Sequence, residues 1–494
     1  MADRVRVRQR KRERAKQGIP KSPSGISGLD EITGGGLPKG RPTLVCGGAG
    51  AGKTLCAIEF LVRGALEHGE PGVFVAFEET PEELAANVAS LGFDLPSLVR
   101  RKLLNIDYVH IERSEIEETG EYDLEGLFVR LGYAIDSIGA KRVVLDTIES
   151  LFSGLPNELV LRSELRRLFR WLKDKGVTAV ITGERGQGQF TRYGLEEYVS
   201  DCVILLDNRV SDEIVTRRLR IAKYRGSVHG TNEYPFLIDE DGMSVLPITS
   251  LRLDYDVSRQ RLSTGVADLD AMFGGKGYYR GSSVLLSGPA GTGKTTIAAA
   301  GAEAACKRGE KCVYFASEES ERQIVRNLAS VGVNLDRWVK EGRIQIHTSR
   351  PSLYGLEMHL VTIHKLVEKF RPDVVVVDPL SNLGYIGDSL SVRSMLTRMV
   401  DFLKVRGITA LCTSLALPEE RHSAGELAIS SLMDTWITLG QRIDRSRRTR
   451  TVSVIKSRGM AHSGDVREFV MSGKGIRILP GRAETTSRTE KGRS

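Results

Sequence analysis

The chain of 494 residues is poor in the features that would place it in several common classes. No apolar run approaches the ~20 residues needed to cross a bilayer, and the amino-terminal stretch is too basic and too apolar-poor for a secretory leader. Its six cysteines (Cys46, Cys56, Cys202, Cys306, Cys312, Cys412) are scattered, with no CxxC and no Cys/His cluster. That pattern excludes structural zinc and a disulfide framework and points to a reducing, cytoplasmic setting. Aromatic residues are only 6% of the chain, which leaves few rings on which nucleic-acid bases could stack. What is plentiful is glycine, 52 residues of it, and charge, 27%. The formal net charge of +8 is unevenly placed. Residues 1–21 hold nine Lys/Arg against Asp3 and Glu13, residues 481–494 hold four against two, and the body between is close to neutral. Residues 1–22 therefore read as a basic disordered tail and 479–494 as a second one. The first could touch nucleic acid or an acidic partner, and a merely solvated tail fits its composition equally; the near-neutral body does not suit nucleic acid.

Two of the glycine-rich stretches match one motif. Gly47-Gly48-Ala49-Gly50-Ala51-Gly52-Lys53-Thr54 and Gly288-Pro289-Ala290-Gly291-Thr292-Gly293-Lys294-Thr295 both fit G-x-x-x-x-G-K-[ST]. Each follows an apolar, strand-like run and opens a helix-forming stretch. Backbone N–H groups of such a loop face phosphate oxygens, the lysine reaches the β/γ-phosphates, and the hydroxyl of Thr54 or Thr295 suits Mg²⁺. Two ATP sites follow, with Leu55 and Thr296 next in line at each.

The spacing repeats beyond the loops. Asp30 and Asp270 are 240 residues apart, Lys53 and Lys294 are 241, and the pairs Glu78-Glu79 and Glu318-Glu319 are 240. Asp146 and Asp378, each closing an apolar run, are 232 apart; Lys223 and Lys456 are 233. A tandem duplication of one domain of roughly 230 residues follows, with domains over 23–250 and 251–478 and a join near Ile248–Ser258. Short continuous apolar runs alternating with amphipathic stretches predict two α/β domains with mostly parallel, doubly covered sheets. Strands are expected at Thr43–Cys46, Val73–Phe77, Val143–Leu145, Val177–Thr182 and Met243–Leu246, and in the second half at Val313–Ala316, Val374–Val377 and Ile408–Thr413.

The chemistry reads off the same positions. Asp146 and Asp378 are placed to hold Mg²⁺ through its water shell, and one glutamate of each pair to orient or deprotonate a nucleophile. The alternative for Glu78-Glu79 and Glu318-Glu319 is a cap on the following helix. Lys223 and Arg225, like Lys456 and Arg458, lie far downstream in a repeated Lys-x-Arg-Gly-x-x-His pattern ending in His229 and His462. Charge on the γ-phosphoryl oxygens calls for a cation from outside the loop, and head-to-tail neighbours in a ring would supply one. A solvated strand edge is the plainer alternative.

Taken together, these residues resemble the KaiC family of circadian-clock ATPases and autokinases, within the RecA-like P-loop superfamily. The most specific stretches are Phe77-Glu78-Glu79-Thr80-Pro81, Arg192 through Asp201, the Lys-x-Arg-Gly-x-x-His pattern and Arg467-Glu468-Phe469. The resemblance implies an ATP-dependent double-ring homohexamer whose first ring is mainly an ATPase and whose second phosphorylates a neighbouring subunit. It implies Ser430 and Ser431 as phosphoacceptors, Glu318 as general base and metal contact, and Glu78 as the residue positioning hydrolytic water. Ser90, Lys223, Tyr224, Arg225, Ser227, His229, Asp239 and Glu240 are implied nucleotide contacts of the first domain. Arg450, Lys456, Ser457 and Arg458 are those of the second. A KaiB-like signalling protein is the implied partner. Pro379 stands where the family has serine, and Val331 where it has an aromatic residue near the second base. A nucleic-acid-dependent ATPase of the same superfamily and a slow ATP-switched scaffold are the competing readings.

Overall fold

A computed structural model describes residues 18–109, 124–152, 158–186, 199–211, 214–247, 257–350, 355–385, 389–415, 430–444 and 447–480. The chain forms two compact units, Met1–Ser250 and Leu251–Ser494. The expected join at 248–256, the Arg192–Tyr198 stretch and Ile429 lie outside the described residues.

In the first unit β1 (Lys21–Ser22) pairs with β2 (Leu37–Pro38) in a small ribbon. The main sheet holds β3 (Pro42–Gly47), β4 (Gly72–Ala76), β5 (Leu104–Tyr108), β6 (Arg142–Asp146), β7 (Thr178–Glu184), β8 (Cys202–Ser211), β9 (Ile214–Tyr224), β10 (Glu233–Asp239) and β11 (Gly242–Val245). Their order is β5-β4-β6-β7-β3-β8-β9-β10-β11. Strands β3 to β8 are parallel to one another, whereas β8 to β11 form an antiparallel wing. The second unit repeats the plan. Ribbon β12 (Arg261–Leu262) and β13 (Tyr278–Tyr279) precede β14 (Ser283–Gly288), β15 (Cys312–Ala316), β16 (Ile344–Thr348), β17 (Val374–Asp378), β18 (Thr409–Leu415), β19 (Thr435–Asp444), β20 (Arg447–Ser457), β21 (Arg467–Ser472) and β22 (Gly475–Ile478). The order β16-β15-β17-β18-β14-β19-β20-β21-β22 matches the first sheet strand for strand.

These are two RecA-like α/β domains with mostly parallel sheets. The runs legible as strands are the parallel ones because both their faces are buried. Val45, Val144 and Val180 join the core on one face of the first sheet; Leu44, Cys46, Val143, Leu145, Ala179 and Ile181 join that on the other. Of the first wing only β11, expected as Met243–Leu246, gave such a signal; the longer wing strands alternate more. The strands carrying the candidate cations belong to these antiparallel wings. Lys21, within the expected tail, bonds the Thr33 carbonyl and lies 4.9 Å over the Tyr224 ring. All six cysteines are buried and none is in a disulfide, and burial pushes the thiols of Cys56, Cys202, Cys306 and Cys412 up to about 12. Among the described residues no helix is long and apolar enough to cross a membrane.

Candidate active site

Each glycine-rich loop leaves the carboxyl end of the central strand (β3 or β14) and opens a helix, Lys53–Glu67 or Lys294–Lys307. The turn needs left-handed backbone at Gly50 and Gly52 and again at Gly291 and Gly293. Gly52 also has to be small: a Cβ there would meet Ile238 Cδ1 at 2.7 Å. Gly48, Ala49, Gly50 and Ala290 are exposed, and Ala51 and Thr292 are buried beneath the loops. The lysines fold back over their loops. Lys53 Nζ donates to the carbonyls of Gly47 (2.9 Å) and Gly48 (3.1 Å), and Lys294 Nζ to those of Gly288 (2.7 Å) and Pro289 (2.8 Å). Burial lowers the Lys294 ammonium below its usual value, with Asp378 and Glu318 pulling the other way. An open cavity of about 340 Å³ runs from Gly50–Leu55 to Glu79 and Asn87; Ser90, the C-terminal cap of the helix Pro81–Ala89, does not line it.

The carboxylates converge on the same end of each sheet. Asp146 closes β6, is only 8% exposed, and accepts a hydrogen bond from the hydroxyl of Thr182. Burial pushes its carboxyl above the ordinary range, with Thr182 and Thr54 pulling the other way. Asp378 closes β17 and accepts from Tyr314 Oη at 2.6 Å and from Thr413. Glu78 Oε1 accepts from Thr147 (3.0 Å) and Ser150 (2.8 Å). Glu318 Oε1 accepts from Asn382 Nδ2 at 3.2 Å. The second member of each pair turns elsewhere: Asn87 donates to Glu79 at 3.3 Å and Asn327 to Glu319 at 3.2 Å. Burial and the charge of Asp146 raise the Glu79 carboxyl. Capping of the following helices falls to Thr80 with Glu83 and to Ser320 with Gln323, so the glutamate pairs are not the caps.

Mg²⁺ fits this donor set. A buried carboxylate beside the first hydroxyl of the helix suits an ion that keeps most of its water and takes phosphate oxygens. Among the described residues no group of three acidic, His or Cys side chains gathers, as an all-protein cage would require.

The candidate cations sit at the other end. Lys223 on β9 pairs with Val203, and Tyr224 with Cys202, which itself pairs with Thr43 at the start of β3. Lys456 on β20 pairs with Trp436, which pairs with Leu285 early in β14. By strand rise the start of β14 is roughly 16 Å from the loop that follows Gly288. Neither strand is a sheet edge, since β9 and β20 have partners on both sides. Lys456 Nζ donates to the Ser430 carbonyl and Arg458 Nη2 to that of Ser431, both at 2.7 Å. Ser430 is 5% exposed and Ser431 lies at the surface. Burial, then the charge of Arg458, lowers the Lys456 ammonium. Arg450, earlier on the same strand, donates to the carbonyl of Gly291 in its own chain's loop at 3.2 Å.

The remaining candidates are spread. Tyr224 is buried with its hydroxyl on the Gly36 carbonyl (2.9 Å), so only its backbone is available to a ligand. His229 stacks near that ring, Ser227 and Arg225 are on the following turn, and Ser457 is buried against Thr435. Asp239 ends β10, its Oδ1 accepting from Asp241 N, with Glu240 exposed beside it. Thr295 and Thr296 lie in the first turn of their helix. Sequence reasoning missed Ser150, Asn382, Asn87 and Asn327. The repeat carried the signal: Asn87 and Asn327 are separated by the same 240 residues as the glutamates they hold, and Ser150 and Asn382 by the 232 of the strand-closing aspartates.

The family model for the KaiC ATPase matches residues 22–250 and again 262–483. The chain belongs to the KaiC family. It is 56% identical over 461 residues to circadian clock protein KaiC2 of Synechocystis sp., covering 93% of this chain and 81% of that protein. It is 39% identical over 462 residues to the circadian clock oscillator protein KaiC of Synechococcus elongatus, covering 93% and 89%. KaiC3 of Synechocystis sp. is 36% identical over 467 residues. The protein is thus a KaiC-family ATPase with circadian-clock homologues.

Proposed function

We propose that this KaiC-family ATPase works as an ATP-assembled homohexameric ring with two activities: hydrolysis centred on the first domain and serine autophosphorylation, with possible reversal, in the second. One observation carries the reading. Ser430 and Ser431, together with Lys456 and Arg458 that hold their carbonyls, stand at the amino end of β14, whereas the ATP loop of the same domain leaves its carboxyl end. An acceptor there is out of reach of its own nucleotide and suits a head-to-tail neighbour's. Lys223 and Arg225 hold the same station in the first domain.

In the proposed transfer the Ser431 hydroxyl, the exposed one of the pair, attacks the neighbour's γ-phosphorus. Its proton passes to Glu318 of that neighbour, the bond to the β-phosphate oxygen breaks, and ADP leaves. Lys294 holds the β/γ oxygens, Lys456 and Arg458 meet the charge arriving from the acceptor side, and Asn382 orients the base. Mg²⁺, held through Thr295 and Asp378, would neutralise the phosphates. In the first domain Glu78 orients water instead. A KaiB-like signalling protein is the class of partner that the clock-named relatives support. The test is a mixed ring. A Lys294→Ala chain combined with a Ser430→Ala/Ser431→Ala chain should carry phosphoserine on the Lys294→Ala chain alone. Absence of phosphoserine from the wild-type protein after prolonged incubation with Mg·ATP would leave the second domain an ATPase or a scaffold.

A further inference from the structure

Behind each candidate cation pair lies a carboxylate that nothing above assigns. Asp201, 3% exposed on its side chain, lies 3.9 Å from Arg225 and 2.5 Å from Lys173. Asp434 lies 3.8 Å from Arg458 and 2.8 Å from Lys404. Backbone bonds repeat as well: Arg225 N donates to the Asp201 carbonyl and Arg458 N to that of Asp434, both at 2.8 Å. The spacings Asp201–Asp434 (233), Arg225–Arg458 (233) and Lys173–Lys404 (231) follow the duplication. Two domains differing at most positions thus keep one Lys–Asp–Arg constellation with nearly equal distances.

We propose that Asp201 and Asp434 are positioning residues: each aims an arginine, Arg225 or Arg458, at the adjoining subunit's ATP, and each is pinned by a lysine. The proposal rests on the reading that those arginines serve a neighbour's nucleotide. The arginine side chains are 51% and 54% exposed, while the carboxylates are 3% and 20%. A carboxylate 3.8–3.9 Å away is too far for a hydrogen bond and biases the guanidinium by charge, while Arg458 also holds the Ser431 carbonyl at 2.7 Å. The lysine completes the pin. Lys173 and Lys404 sit in the last turn of the helices Glu158–Asp174 and Ser389–Val405. Further ties fix the carboxylate: Arg41 at 3.5 Å on Asp201, and the N–H and hydroxyl of Ser283 at 2.9 Å on Asp434. Burial alone would raise the Asp434 carboxyl, but Lys404 and Ser283 outweigh it and hold it below the usual range. The Asp434 carboxylate therefore stays a fixed negative charge beside Arg458.

The experiment is a double-mutant cycle on the full-length assembled protein, reading ATP turnover by phosphate release and affinity with a fluorescent ATP analogue. Asp201→Asn should lower kcat by about tenfold or more while affinity changes less than about twofold, since a misplaced group costs rate before binding. In the Arg225→Ala background the same substitution should add less than about twofold. A further loss of fivefold or more in that background would mean that Asp201 acts through the fold, and unchanged kcat in the single variant would mean that it aims nothing; either overturns the proposal. If Arg225→Ala itself leaves kcat unchanged, it is the reading of the arginine that fails. Should Asp201→Asn not assemble, Asp434→Asn with Arg458→Ala makes the same cycle, read as phosphoserine in the second domain.

Discussion

Among the described residues, two hydroxyls of the first domain, from Thr147 and Ser150, reach one oxygen of Glu78 at 3.0 and 2.8 Å, and in the second domain one amide, from Asn382, reaches Glu318 at 3.2 Å. The sheets around them have the same strand order, so the difference is local. Pro379 occupies the position of Thr147 and has no hydroxyl to give. A carboxylate fixed through one oxygen presents the other in a constant direction, which suits the ordering of a small nucleophile such as water. A carboxylate with one longer contact can follow a bulkier nucleophile that is itself held elsewhere. Ser431 is held in that way, its carbonyl on Arg458. On the proposed reading, the donors around one glutamate bias the same fold toward hydrolysis in one copy and toward transfer in the other.

The largest expected effect breaks the comparison outright. Glu78→Gln/Glu79→Gln should cut ATP turnover by about 10²–10⁴ while sparing ATP binding, the range for loss of a general base. Glu318→Gln should leave most of the turnover and abolish phosphoserine. Phosphate release and phosphopeptide mapping on both variants decide, and equal losses of turnover would erase the proposed division of labour.

A smaller effect sharpens it. Pro379→Thr returns a hydroxyl to the side of Glu318, and in a Glu78→Gln/Glu79→Gln background the residual hydrolysis should rise severalfold while phosphoserine yield falls. Unchanged hydrolysis would show that donor count at the glutamate does not set the balance.

Much of this was legible in the sequence because duplication doubles every signal. The glycine-rich loops, the strand-closing Asp146 and Asp378 and the glutamate pairs recur at nearly constant spacing, and their strands are apolar throughout because both faces are covered. The helix-cap alternative for the glutamates was excluded only by structure, through Thr80 and Ser320. The antiparallel wing was legible only at its last strand, Met243–Leu246, since strands such as β9, with Arg217, Arg218 and Arg220 among its residues, lack a continuous apolar run. Asp201 and Asp434 were passed over for another reason. An aspartate at a strand entry is ordinarily a turn former, and only the fold brings Lys173 or Lys404 onto it from a helix that ends far upstream in sequence.

The smallest prediction concerns stability and again sets one domain against the other. Glu59, on the helix that opens at Lys53, is 1% exposed and accepts from Met243 N at 2.7 Å; the second domain has Ala300 in its place. Burial raises its carboxyl to about 7, with the Met243 N–H and Arg63 opposing. A folded-state value above the unfolded one means that the native protein retains a proton the unfolded chain has lost. This group's contribution to stability is therefore fully present below about 4.5, declines as pH rises toward 7, and is flat above it. The cost at pH 8 is on the order of 3 kcal/mol as an upper figure, at about 1.4 kcal/mol per pH unit. Glu59→Gln keeps an acceptor for Met243 and removes the charge. Its Tm should match that of the wild-type protein near pH 5 and exceed it by a few degrees at pH 8, in the first domain's transition only. Thermal melts of both proteins across that range test this directly, and curves that stay parallel would mean that Glu59 is ionised in the folded protein throughout.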